Sequence, residues 1–363
     1  MNDEKNRHNR SNNIFSDVKN INLKDDFTKE YRALKDFYLD DEKKEKLKRM
    51  GRLERFIYQL GYLFSSIFQK LTPHRKLLVV VGLVLMLLGS CIRFDDQSSS
   101  SNDTLLGGLL IFFVLVLELK DKLLAVEELI AGRKIQKALM PVESPHIDGW
   151  DIFLYTSSAN EVSGDLVDFL KINDQRYAAT IADVAGKGLT AALLTAKLQA
   201  TVRAYADTSE TPAELTNKTN KIFHRDSLPN LFASMIYIEL APNSYNIRYA
   251  NAGHFPPLIL SEEGLSELEK GDAALGIISN SRYRNFDLVL KTDQLFITYS
   301  DCITEARNET GEFFGKERFY NLLKPNKNLN AAELGRKIIS AVNQFRGQAK
   351  INDDISLVIL KKT

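Results

Sequence analysis

Two uncharged apolar runs stand out from the polar first third of the chain. Residues 77–92, LLVVVGLVLMLLGSCI, carry neither charge nor proline, and residues 104–117, TLLGGLLIFFVLVL, run up to Glu118. A helix needs about 20 apolar residues to cross a bilayer, about 17 at the lower end. The first run falls about one residue short of that limit, which Lys76 and Arg93 can make up by extending their charged heads to the surface. The second run is shorter, and taken alone it also fits a buried core helix. Separated by RFDDQSSSSND, the two together predict a transmembrane hairpin over residues 77–119. Residues 1–76 form an N-terminal region whose first part, to residue 26, is polar and lacks periodic apolar positions, which predicts a mobile tail. Within that region FIYQLGYLFSSIF, residues 56–68, fits a helix at a membrane surface or one buried in a soluble domain.

After the second run, ELKDKLLAVEELIAGRKIQKALMP predicts a linker helix over residues 120–141, stopped by Pro141. Leu119, Leu123, Val126 and Ile130 make a stripe suited to a partner helix, a second copy of the chain included, or to the helix's own domain. Arg133 and Lys137 interrupt it early.

From Trp150 onward the pattern changes to short strands broken by turns. DIFLYTS, residues 167–172 and 177–181 around NDQR, LFASMIYIEL and YNIRYANA around APNS, FDLVLK and QLFITYS around TD, and ISLVIL all fit strands. Several of these turns are too short for a crossover helix, so the pairing is antiparallel. Helical patterns occupy residues 188–206, 212–224 and 331–345. Strands clustered apart from helices predict an α+β domain over residues 142–363, not a doubly wound parallel sheet.

Charge changes the picture through its distribution. The 363 residues carry 48 Lys and Arg against 47 Asp and Glu, a formal net charge of +1, which gives no reason to expect nucleic acid as a partner. The basic run KKEKLKRMGRLER, with Lys70, Arg75 and Lys76, precedes the first apolar run, and Lys120, Lys122, Arg133 and Lys134 follow the second. The loop between them holds Arg93 alone among basic residues, so both termini are expected in the cytoplasm, with the hairpin in the cytoplasmic membrane. Two cysteines, Cys91 and Cys302, give no disulfide framework, which suits a reducing compartment. A signal peptide is not expected.

The candidate chemistry starts at TIADVAGKGL, residues 180–189. A phosphate-binding P-loop needs a further glycine upstream of its Gly-Lys pair and a Ser or Thr after the lysine; those places hold Ile181 and Gly188. A dinucleotide fingerprint fails as well, because its third glycine is replaced by Ala191. Asp183 ends an apolar strand just before a glycine-rich turn, where a hard divalent cation finds carboxylate and carbonyl oxygens. A lone aspartate there equally fits a turn or helix-cap acid. Asp165 and Asp168 in EVSGDLVDFL, Asp301 after LFITYS, and Asp353 and Asp354 in INDDISLVIL occupy comparable edges of hydrophobic β-runs. Spacing alone does not bring them together.

The ordered set SGDLVD, DVAGKGLTAALL, ANAGHFPPLIL, YSDCITEARNETGEFFG and NDDIS resembles the metal-dependent serine/threonine protein phosphatases of type 2C. Within them it is most similar to the bacterial sigma-regulatory branch that includes SpoIIE and RsbU, and AGRKIQKALMP resembles the helix that leads into that domain. The likeness covers about residues 129–361. It implies a four-layer αββα sandwich, two antiparallel sheets flanked by helices, and two Mn²⁺ or Mg²⁺ ions. It also implies serine/threonine phosphatase activity on a phosphorylated anti-sigma-factor antagonist or similar regulator, with the hairpin and linker helix carrying a signal to the domain. By the same resemblance Asp183 would bridge both ions, with the Val184 carbonyl as a further ligand. Asp301 and Asp353 would ligate the second ion, Asp165 would hold water around the first, and Asp354 would tie the last strand to the site.

Gly186 and Gly188 would let the turn pass close to the ions, while Lys187 fits either a solvated turn lysine or a phosphate contact. His254 fits an acid for the leaving oxygen or a residue that fixes the loop before Pro256 and Pro257. Two positions depart from the family pattern: Ser163 stands where a glycine is usual, and Cys302 replaces the glycine that commonly follows the aspartate. A cysteine there could crowd the turn, bind a softer metal or sense oxidation. Two other functions stay open: an inactive pseudophosphatase that binds such a partner, and a phosphohydrolase for a small phosphorylated molecule.

Overall fold

The computed structural model describes residues 51–91, 99–228, 230–351 and 353–363. The expected tail and much of the loop between the two apolar runs lie outside the described residues. The chain divides into two units, Met1–Lys122 and Leu123–Thr363.

The first unit contains α1 (Arg52–Lys70), α2 (Pro73–Cys91) and the beginning of α3 (Ser99–Leu139). A Cβ on Gly107 would stand 2.5 Å from the carbonyl oxygen of Gly82, so α2 and α3 cross where a side chain would not fit. Arg75 donates to Glu118 and to Asp121, each at 2.5 Å, and fastens the foot of α2 to α3. Val79 and Val114 are buried, whereas Leu77, Val84, Leu87, Leu105, Leu109 and Phe112 remain exposed.

Among the described residues no helix is long and apolar enough to cross a membrane. The expected hairpin over 77–119 is therefore seen as two packed helices and is not shown as a pair of membrane spans. Helix α2 opens with His74, Arg75 and Lys76 behind Pro73, and α3 runs without a break from its apolar part into the charged linker. No proline interrupts that sequence before Pro141, and its Glu, Lys and Leu residues favour helix, so apolar run and linker form one helix of 41 residues.

The second unit has ten strands: β1 (Trp150–Ser157), β2 (Asp165–Asn173), β3 (Arg176–Val184), β4 (Ala233–Leu240), β5 (Asn246–Ala252), β6 (Leu258–Ser261), β7 (Gly264–Glu267), β8 (Phe286–Val289), β9 (Leu295–Tyr299) and β10 (Ile355–Lys362). Its helices after α3 are α4 (Gly188–Tyr205), α5 (Pro212–Asp226), α6 (Cys302–Glu305), α7 (Gly315–Leu323) and α8 (Ala331–Arg346). One sheet runs β1-β10-β9-β6-β7 and the other β2-β3-β4-β5-β8. The pairs are antiparallel throughout.

Because successive side chains alternate across a strand, each sheet buries two faces. Ile152, Leu154, Val167, Ile181, Ile236, Phe296 and Val358 fill the space between the sheets. Phe153, Ile297, Phe319, Leu334 and Ile359 pack the first sheet under α7 and α8, and Ala182, Leu198, Leu215, Phe223 and Met235 pack the second under α4 and α5. Each fully buried side chain of this size contributes roughly 1.5–3 kcal/mol. The result is the αββα sandwich that the resemblance implies, in the α+β class that the strand pattern predicts.

The hairpin β6–β7 and the helices α6 and α7 are additions to the sequence reading. The hairpin turns on Glu262 and Glu263 with Gly264 at φ 129°, without the Asn-Gly or Asp-Gly signal of a tight turn. Helix α7 buries only Phe319 and Leu323, too few for a clear period. More consequentially, β2 starts at Asp165 and β3 continues through Val184, so the sheet itself holds both acids.

Candidate active site

Strands β2 and β3 pair with Asp165 directly opposite Asp183. Leu166 and Ala182 pack toward the helices while Val167 and Ile181 pack between the sheets. By that alternation Asp165 and Asp183 face the gap between the sheets, at its rim. The facing sheet delivers its acids to the same end. Strand β9 leads into Asp301, and Asp353 and Asp354 lead into β10. The two segments are joined where the Ser300 amide donates to the Ser356 carbonyl at 2.9 Å and the Cys302 thiol to the Asp353 carbonyl at 3.0 Å.

The carboxylates disturb one another. Burial raises the Asp165 carboxyl well above its ordinary range, and the charges of Asp183, Asp354 and Asp301 add to the effect. Asp183 is pushed up to about 6, by burial first and then by Asp301, Asp353 and Asp354. Asp301 is raised by burial and by Glu305 and Asp353, with Lys187 acting in opposition. These are the marks of like charges held close in a poorly solvated place. The Oδ2 atom of Asp165 is buried with no hydrogen-bond partner. Lys187 meets the Asp353 carboxylate at 3.1 Å.

Among the described residues no group of three or more His, Cys, Asp or Glu side chains is gathered closely enough to hold a metal ion. The donor set nevertheless suits a divalent cation chemically: hard oxygen ligands, one of them an orphaned buried carboxylate oxygen, with unrelieved mutual repulsion.

Several neighbours shape the rim. Asp354 accepts hydrogen bonds from the Ala159 amide at 2.7 Å, the Ser163 hydroxyl at 2.7 Å and the Gly164 amide at 2.7 Å, which sews the loop before β2 to the start of β10. The serine that departs from the family pattern thus supplies a bond a glycine cannot. A Cβ at Gly164 would come within 3.4 Å of the Val184 carbonyl oxygen, so the bare backbone there keeps that carbonyl uncrowded. Gly186 at φ 116° and Gly188 at φ 70° make the turn after Val184 in a region that side chains disfavour.

Other expectations resolve differently. Asp168 lies three residues from Asp165, hence on the opposite face of β2, where Arg203 of α4 donates to both its oxygens at 2.8 and 2.7 Å. It is a structural ion pair outside the site. His254 is buried, its Nδ1 lies 2.7 Å from the Ser234 hydroxyl, and its backbone is tied to the Asn251 side chain. Burial pushes its pKa down to about 4. A neutral imidazole is no store of protons at neutral pH, so the loop-fixing alternative is the one the structure supports. Burial and the nearby Asp353, Asp165 and Asp301 push the Cys302 thiol up to about 12, far from the thiolate that softer metals and oxidants need. Its S–H serves the Asp353 carbonyl instead.

One residue near the site has no counterpart in the sequence reading. Gln136, in the part of α3 read only as a linker, bonds to both backbone polar groups of Ser163 at 3.0 Å. No motif marks it, since a lone polar residue on a helix normally faces water.

The family model for Stage II sporulation protein E (SpoIIE) matches residues 173–363, more than half of the chain. Asp183, Asp301 and Asp353 fall within that match and Asp165 just ahead of it. The phosphoserine phosphatase RsbU of Bacillus subtilis (strain 168) is 26% identical over 237 residues, covering 65% of this chain and 70% of RsbU. The phosphoserine phosphatase RsbP of the same organism is 25% identical over 246 residues, and the chain spans 59% of its length. Among solved structures, the SiaA-PP2C domain of Pseudomonas aeruginosa superimposes with a TM-score of 0.58 at 21% identity, covering 67% of this chain and 99% of that one. The sandwich and the family match therefore agree: the chain belongs to the SpoIIE family, and its second unit is a SpoIIE-type PP2C phosphatase domain.

Proposed function

We propose that this chain is a metal-dependent protein serine/threonine phosphatase whose substrate is a phosphorylated anti-sigma-factor antagonist or a similar small bacterial regulator. One observation carries the reading: acids from both sheets meet at one rim, with Asp165 paired opposite Asp183 and the Asp301 and Asp353 segments facing them. Asp183, the Val184 carbonyl, Asp301 and Asp353, with Asp165 holding water, would bind two Mn²⁺ or Mg²⁺ ions. Such ions, when bound, supply the positive charge that offsets the crowded carboxylates and the phosphoryl oxygens and makes a water nucleophilic at neutral pH.

The remaining work belongs to the chain. Asp354 and Ser163 fix the loop that carries Asp165. The Cys302 thiol holds the Asp353 backbone, and the glycine turn leaves the rim open to a phosphoprotein. Preorganisation of this kind places charge where the transition state needs it.

The exposed apolar side chains of α2 and α3 support association of the first unit with a bacterial cytoplasmic membrane, with both termini on the cytoplasmic side. The stripe on α3 supports pairing of two copies through the linker. A partner-binding pseudophosphatase is the second reading, favoured by the lack of a gathered ligand cluster among the described residues.

Release of phosphate from a phosphoserine protein by the full chain, with and without Mn²⁺, tests the proposal. Manganese-dependent release that vanishes in Asp183→Asn and Asp301→Asn supports it. Binding of the phosphoprotein without turnover would establish the pseudophosphatase, and equal activity in those variants would sink the metal-site assignment. Recovery of the chain with the soluble fraction would remove the membrane from the proposal.

A further inference from the structure

A cavity of about 290 Å³ opens beside the rim, sharing Asp301 and Asp353 with it. Its wall also includes Glu305, the apolar side chains of Phe313, Val342, Ile351 and Ile355, and three cations that the phosphatase chemistry does not use, Arg307, Arg346 and Lys350. Arg346 is the last residue of α8, and its Nε and Nη1 atoms are buried with no hydrogen-bond partner. Two donors of this part-buried guanidinium thus lack a partner, which is costly, and the planar fork of a guanidinium matches a carboxylate. Arg307 lies with its guanidinium 4.3 Å from the centre of the Phe313 ring at the cavity wall. The acids of the cavity leave these cations unmatched: Asp353 turns to Lys187 at 3.1 Å, and among the described residues no ion pair joins Arg307, Arg346 or Lys350 to Asp301 or Glu305.

We propose that this cavity receives an acidic side chain of the protein substrate, close to the phosphorylated residue, so that the enzyme selects phosphoserine segments with acidic flanks. The inference rests on the phosphatase reading and adds to it a substrate class. The phosphoryl group belongs at the carboxylate rim, and because the cavity shares two residues with that rim, an extended segment lying there places a neighbouring side chain over Arg346. A charge-assisted, bidentate contact of this kind favours an acidic over an amide side chain by about tenfold.

The experiment uses the full chain and two phosphoserine peptides identical except that glutamates or glutamines flank the serine. It measures the ratio of their kcat/KM values and, separately, the binding of the unphosphorylated versions by fluorescence anisotropy. The expected result is a ratio of about ten in the parent chain, falling to about one in Arg346→Gln and to one or below in Lys350→Glu. Lys350 is exposed, so its variant keeps the test decisive even where the Arg346 variant fails to fold. Equal kcat/KM and equal binding for both peptides in the parent chain overturn the inference and leave the phosphatase reading intact. Flank-dependent binding without release of phosphate from either peptide overturns the phosphatase reading and leaves the cavity assignment standing.

Discussion

Gln136 of α3 holds Ser163 by both backbone groups, its amide donating to the carbonyl and its oxygen accepting from the N–H, each at 3.0 Å. Two residues later in the chain comes Asp165. The end of the same helix is fastened again where the Gln199 side chain donates to the Leu139 carbonyl at 3.1 Å. The linker helix thus grips the loop that delivers an acid to the site. Gln136→Leu removes two hydrogen bonds, each worth about 1 kcal/mol net, from a part-buried place. The expected outcome is faster amide hydrogen exchange at residues 163–165 together with a several-fold lower kcat, with a loss of about 2 kcal/mol in global stability. Unchanged exchange at those amides would show that the clamp holds nothing.

Asp183 stands among carboxylates that raise one another's pKa, an arrangement kept at a cost to the fold. Asp183→Asn removes one charge while keeping the shape. In metal-free buffer the variant should melt higher than the parent, by a few degrees, and should no longer gain stability from added Mn²⁺ as a ligand-binding native state does. Parallel thermal melts with and without Mn²⁺ read both effects. A variant that melts lower without metal, or that keeps the full Mn²⁺ response, would contradict this account.

Most strands, the long helices and even the antiparallel pairing were legible because alternation and short turns are local signals, whereas the β6–β7 hairpin and the short helices α6 and α7 were not. The acids were legible one at a time. What the pattern could not supply was the register: whether Asp165 falls opposite Asp183 depends on a hairpin whose paired length runs past the apolar stretch at its rim end. Asp168 shows the same limit from the other side. In sequence it resembles Asp165, yet a shift of three positions puts it on the other face, against Arg203. The apolar runs were legible as helices but not by what they meet, since a run of hydrophobic residues looks alike whether it meets lipid, another helix or a partner.

Glu239 is almost fully buried and takes Arg176 on one carboxylate oxygen and Arg248 on the other, both at 2.6 Å. It sits on β4, far along the strand from the rim, so its role is in the fold. Glu239→Gln leaves two guanidinium groups short of a counter-charge in a partly desolvated place, and breaking such a pair costs about 3 kcal/mol. Denaturant unfolding should show that loss with little change in KM for a small phosphate ester at temperatures where the variant is folded. A midpoint equal to the parent's would mean that solvent already screens the pair.

His254 makes a pH prediction whose sign follows from its burial. Its pKa lies at about 4 in the folded chain against 6.5 for an exposed imidazole. Between those values the unfolded chain binds a proton that the folded chain refuses, so stability is full above 6.5 and declines as the pH falls toward 4. The whole shift is worth on the order of 3 kcal/mol. Equilibrium unfolding at about pH 7 and about pH 5 measures the decline, and His254→Gln, which cannot titrate, should flatten it. The parent and the variant losing stability equally over that interval would assign the acid sensitivity to other groups and put His254 near the pKa of an exposed imidazole, open again to a part in proton transfer.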